Sequence, residues 1–110
     1  MGFRSMKRGL LAVQAALLLA APLALHAQPI KVGWLSSLTG PLSSAAIAEN
    51  QGVQLAVEEI NKAGGINGRP IELLTRDTAG DPTKAVNFAQ QLAFSDKVHV
   101  VIGPVNSGEG

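Results

Sequence analysis

The chain has 110 residues and no cysteine, which excludes disulfides, thiolate metal sites, cysteine nucleophiles and a lipid attached at cysteine. Nine lysines and arginines face eight aspartates and glutamates, but Arg4, Lys7 and Arg8 all lie at the very start. Without these three the balance is six basic against eight acidic, a net of −2, which gives no support to nucleic-acid or anionic-membrane binding.

The basic start leads into a near-continuous apolar run at residues 10–21, broken by Pro22, and Leu25-His26-Ala27 ends on a small residue. Charge, a short apolar core and a small-residue site, in that order, predict a cleavable secretory signal peptide over residues 1–27. As a helix, an apolar run of about 12 residues reaches roughly 18 Å, short of a ~30 Å hydrocarbon core. The mature chain is therefore expected to be periplasmic and not membrane-inserted. Residues 28–110 suit one small domain or part of a larger one.

Residues 30–35 (I-K-V-G-W-L) predict a first strand, followed by a polar, glycine-containing segment at 36–44. A helix follows over about 45–63, with Val53, Ala56, Val57 and Ile60 on one face of a 3.6-residue period. Gly64-Gly65 ends it, where the chain leaves the helix with positive φ. Asn67-Gly68-Arg69-Pro70 is a turn signal into a second strand at about 71–76. Asp81-Pro82 opens a second helix, Asp81 as cap and Pro82 at the first position, where no donor is needed. Ala85, Val86, Ala89, Leu92 and Ala93 form its apolar stripe. Residues 98–102 (V-H-V-V-I) make a third strand, closed by Gly103-Pro104.

Strands alternating with helices at these connection lengths predict βαβ units, an α/β fold with a parallel sheet and flanking helices. Such sheets bind ligands beyond the carboxyl ends of their strands, where neighbouring strands send helices to opposite faces. The loops there are residues 36–44 and 103–110. The helix expected after the third strand is missing from the sequence, and three parallel strands with two helices leave apolar faces uncovered. Residues 28–110 are accordingly expected to be a truncated α/β domain.

Catalytic chemistry finds little footing. A nucleophile triad needs a base, and the only histidines are His26, within the signal, and His99, flanked by Val98 and Val100 in a strand. A lone histidine offers no metal site either. Asp77, at the end of the second strand, reads as a cap or turn acceptor. Gly103 and Gly108 have P-loop spacing after a strand, but Glu109 stands where a phosphate cradle requires lysine. No catalytic residue, metal or cofactor is expected. The two loops instead offer short polar side chains: Ser36, Ser37, Thr39, Ser43 and Ser44 in one, Asn106 and Ser107 in the other. Hydroxyls, amides and free N–H groups at helix starts suit a small carboxylate, though the same residues also serve as ordinary turns and caps.

Four segments carry a resemblance: I-K-V-G-W-L-S-S-L-T-G-P (30–41), G-V-Q-L-A-V-E-E-I-N-K-A-G-G-I-N-G-R-P-I-E-L (52–73), D-T-A-G-D-P-T-K-A-V (77–86) and V-I-G-P-V-N-S (101–107). They resemble type I periplasmic substrate-binding proteins of ABC importers, in the leucine/isoleucine/valine-binding branch. The resemblance implies two α/β lobes closing on a ligand, delivery to a membrane permease, and no chemistry on the ligand. It also implies ligand contacts from Ser107, from Asn106 beside it, from Thr39 in the first loop, and from Ser44, Ala45 and Ala46 at the helix start. Family members that bind amino acids often carry an aromatic residue near Ala45. Its absence widens the expected ligand from a branched-chain amino acid to another amino acid, an amide or an aromatic acid. Trp34 is expected in the core. The alternatives are a ligand-sensing receptor domain of the same fold, and a secreted hydrolase whose nucleophile and base lie elsewhere.

Overall fold

A computed structural model describes residues 27–110, so the expected signal peptide lies outside the described residues except for Ala27. Three strands form one sheet: β1 (Ile30–Ser36), β2 (Ile71–Asp77) and β3 (Val100–Ile102), in the order β2-β1-β3. All pairings are parallel, from Ile30 opposite Ile71 to Ser36 opposite Asp77, and from Val32 opposite Val100 to Trp34 opposite Ile102. The α/β expectation holds, with the central strand buried from Val32 to Ser36.

Helix α1 (Ser43–Lys62) connects β1 to β2, and α2 (Pro82–Gln90) connects β2 to β3 through a π-helical turn at Gln91–Ser95. The two helices take opposite faces, because side chains alternate along β1. Val32 joins Val53, Ala56, Val57, Ile60, Leu73 and Ile102 around an apolar groove of about 250 Å³ beneath α1. Its neighbour Gly33 faces the other way, against Leu92 of the π turn. A Cβ at Gly33 would stand 2.9 Å from the Leu92 Cδ1, so glycine there lets the fully buried Leu92 lie on the sheet.

The predicted caps form. Asp81 Oδ1 accepts from the Thr83 N–H at 2.8 Å and the Lys84 N–H at 3.3 Å, and Pro82 is the first residue of α2. At the other end of the sheet Asn61 closes the turn into β2, donating to the Ile71 carbonyl at 2.9 Å and accepting its N–H at 2.7 Å. Trp34 is in the core as expected, 6% exposed, with its indole N–H donated to Asn50 Oδ1 at 3.1 Å.

Three expectations need correction. β3 begins at Val100, two residues later than the apolar run suggested. His99 is exposed and reinforces the strand's entry differently: its N–H donates to the Lys31 carbonyl at 2.9 Å, and its Nδ1 accepts the Lys31 N–H at 3.0 Å. The stripe on α2 is only partly buried. Ala85 and Leu92, seven residues apart, are enclosed, whereas Val86 is 53% exposed and Ala93 is also exposed.

Candidate functional site

The sheet order puts β1 between β2 and β3, with α1 and α2 leaving toward opposite faces. The carboxyl ends of all three strands therefore open into neighbouring loops at a topological switch point. Those loops run through residues 37–42, 78–81 and 103–110.

Side chains from all three meet in one cluster. Ser37, fully buried, donates its hydroxyl to Glu109 Oε1 at 2.7 Å and shares a 3.1 Å hydrogen bond with the Thr78 hydroxyl. Asn106 donates its side-chain amide to the same Oε1 at 2.7 Å. Asn106 Oδ1 accepts the Gly108 N–H at 2.7 Å, which shapes the single 3-10 turn Ser107–Glu109. Glu109 is only 4% exposed, and its Oε2 is enclosed with no hydrogen-bond partner. Burial pushes the Glu109 carboxyl up, but the hydroxyls of Thr78 and Ser37 and the Asn106 amide outweigh it. The group is held below the usual glutamate range, although the negative charge of Asp81 works against this.

A second carboxylate braces the first two loops. Asp77 accepts the Thr39 hydroxyl at 2.7 Å, the Thr39 N–H at 3.2 Å and the Ala79 N–H at 2.9 Å. It is the turn acceptor expected of it, and it also reaches across to the neighbouring loop. Partial burial raises its carboxyl, and hydrogen bonds from the Thr39 side chain and the backbone of Ala79, Thr39 and Leu38 pull it below the usual aspartate range.

The structure places the six expected ligand residues unequally. Ser107 is exposed at the tip of the third loop, with no hydrogen bond from its hydroxyl to the protein among the described residues. Asn106 stands beside it with its carbonyl oxygen and one amide proton engaged within the loop, leaving one N–H to offer. Thr39 is exposed, but its only hydroxyl proton goes to Asp77, so toward a ligand it can only accept. Ser44 and Ala45 are exposed in the first turn of α1. Ala46 is fully buried and its N–H donates to the Leu42 carbonyl at 3.2 Å, so it lies beneath that turn, away from the surface.

Glu109 was the residue that motif reasoning under-read. Its identity counted only against a phosphate cradle, whereas in the fold it joins Ser37 and Asn106, 72 and three positions away in sequence. The available signal was an acidic residue closing a loop of short polar side chains. No metal-binding group of three or more His, Asp or Glu occurs among the described residues. No helix among them is long and apolar enough to cross a membrane.

A parallel sheet whose switch-point loops carry hydroxyl and amide groups defines a small-molecule binding fold. The chain belongs to the periplasmic binding protein family, which matches residues 29–110. It is 43% identical over 88 residues to the Leu/Ile/Val-binding protein BraC3 of Rhizobium johnstonii, across 80% of this chain and 23% of that protein. Among solved structures it is similar to the branched-chain amino acid transporter substrate binding protein LivJ of Streptococcus pneumoniae, in complex with isoleucine. The TM-score is 0.72 and the identity 40%, over 74% of this chain and 23% of the other. A solute binding protein from R. palustris in complex with benzoate gives a TM-score of 0.65 at 32% identity, over 74% and 22%. The chain thus spans a little under a quarter of the length of these relatives.

Proposed function

We propose that this chain supplies ligand-contacting loops of the N-terminal lobe of an extracytoplasmic solute-binding component of an ABC importer. The ligand is a branched-chain amino acid or a related small amino acid, amide or aromatic acid, carried unchanged to a membrane permease. The observation that carries this reading is the meeting of the residue 37–42 and 103–110 loops at the switch point, with the exposed Ser107 hydroxyl uncommitted to the protein. That hydroxyl, the remaining Asn106 N–H and exposed backbone at the start of α1 are donors suited to a ligand carboxylate. The ligands of the relatives, isoleucine and benzoate, share a carboxylate and an apolar body, which supports the choice of class. Residues 1–27 act as the export signal and place the mature chain in the periplasm. Amino-terminal sequencing of the secreted protein, expected to begin at Gln28, checks this.

Protein expressed from its complete reading frame is the material for the binding test. A ligand that binds only the folded state raises stability by RT ln(1 + [L]/Kd), about 2.7 kcal/mol at 100 times Kd, or several degrees of Tm. We expect one member of a panel of amino acids, their amides and aromatic acids to produce that shift. A flat response across the panel would falsify the transport reading.

A further inference from the structure

We propose that Glu109 is a positioning residue for the ligand loops, tying the turn that presents Ser107 to the loop that follows β1. This rests on the reading that these loops hold the ligand. Four observations carry it. Beyond the sheet ladder, Glu109 is the one residue of 103–110 that hydrogen-bonds to residues 37–42 or 78–81 among the described residues, accepting from Ser37 at 2.7 Å with the Thr78 hydroxyl also holding its carboxyl down. The same Oε1 holds Asn106, whose carbonyl oxygen holds Gly108, so the Ser107–Glu109 turn is fixed at both ends through one carboxylate. Through Ser37 and Thr78 the tie extends to the second loop. Finally, Glu109 Oε2 is buried without a hydrogen-bond partner, an arrangement that stability alone does not favour. A hydrogen-bonded carboxylate that spans separate loops sets their spacing, and a displaced contact group weakens a ligand even when it remains present.

The test uses Glu109→Gln, Glu109→Ala and Ser37→Ala in protein expressed from its complete reading frame. Amide hydrogen exchange is followed by peptide, with affinity measured for L-isoleucine and benzoate as probes. Glu109→Ala is expected to speed exchange in residues 37–42 and 103–110 together, leaving 53–60 and 71–76 unchanged. It should also weaken the bound probe about 10-fold, as loss of a charge-assisted contact would. Ser37→Ala should reproduce the coupled loosening from the other side. Glu109→Gln keeps an acceptor for Ser37 and Asn106 and should restore most of the protection and affinity. Exchange rising in 103–110 alone, or loosened loops with unchanged affinity, overturns the proposal. Should Glu109→Ala not fold, the Gln and Ser37 variants decide the same question. If the unaltered protein binds neither probe, that counts against the ligand reading, while the exchange data still decide whether Glu109 ties the loops.

Discussion

Two carboxylates at the loop end of the sheet make this protein's stability sensitive to acid in a defined direction. Asp77 and Glu109 are both held below their ordinary ranges in the folded chain. Between the lowered and the ordinary values the unfolded state binds more protons, so stability rises with pH there. Their contribution is fully present above the ordinary carboxylate range and is lost as pH falls through the lowered values. Denaturation midpoints measured from neutral to acid pH should therefore drop in that window, and Asp77→Asn with Glu109→Gln should flatten the drop. An equally steep fall in the double variant would assign acid sensitivity to other groups. Ser107 is the opposite kind of residue, exposed and making no side-chain hydrogen bond among the described residues. Ser107→Ala should leave Tm nearly unchanged while weakening the ligand by about 10- to 150-fold, from roughly 1.5–3 kcal/mol for a hydrogen bond to a charged group. A variant that loses Tm instead would make the residue structural.

At the scale of elements, α2 is the instructive case. Its start is encoded locally, by Asp81 and Pro82, and Asp81→Ala should destabilise by about 1 kcal/mol in thermal or chemical unfolding, since two backbone donors lose their acceptor. No change in unfolding would mean that solvent replaces the cap. Its far end is not encoded so simply. The π turn carries Leu92 onto Gly33, and Leu92→Ala should cost about 2–5 kcal/mol, because a fully buried side chain leaves a cavity over a glycine that cannot fill it. A loss below about 1 kcal/mol would show that the π turn relaxes into the space. Apolar runs and the 3.6-residue pattern located the three strands and the two α-helices, but not the π turn at Gln91–Ser95 or the 3-10 turn at Ser107–Glu109. They missed the shortened β3, because Val98 and His99 look like strand residues. Only the ladder shows that His99 meets Lys31 through its ring nitrogen as well as its backbone.

At the scale of the whole molecule, the sheet has two differently covered faces. Leu92 and Ala85 close the α2 face, while beneath α1 the groove stays open and Val100 and Ile102 are each 47% exposed. That imbalance agrees with the expectation from strand count that apolar faces of a three-stranded sheet remain uncovered. It also agrees with a chain spanning under a quarter of its relatives' length. The fold class was legible because β1-α1-β2-α2-β3 order admits few right-handed parallel arrangements, and β2-β1-β3 is one that opens a switch point. The family was legible from motif segments that the match over residues 29–110 then covered.

Local chemistry is enough to specify a cap, a turn or an apolar stripe, since the groups involved lie within a few residues of one another. The sequence by itself therefore determined the element order, the parallel α/β class, the buried Trp34 and the Asp81 cap. Which loop residues face outward was decided only by the tertiary structure. Ala46 lies buried beneath the first turn of α1, Thr39 has committed its proton to Asp77, and Ser107 stands exposed. The joining of Ser37 to Glu109 across 72 positions was likewise a tertiary outcome. Side chains so distant in the chain meet only when the sheet brings three strand ends together, and no spacing along the sequence records that meeting.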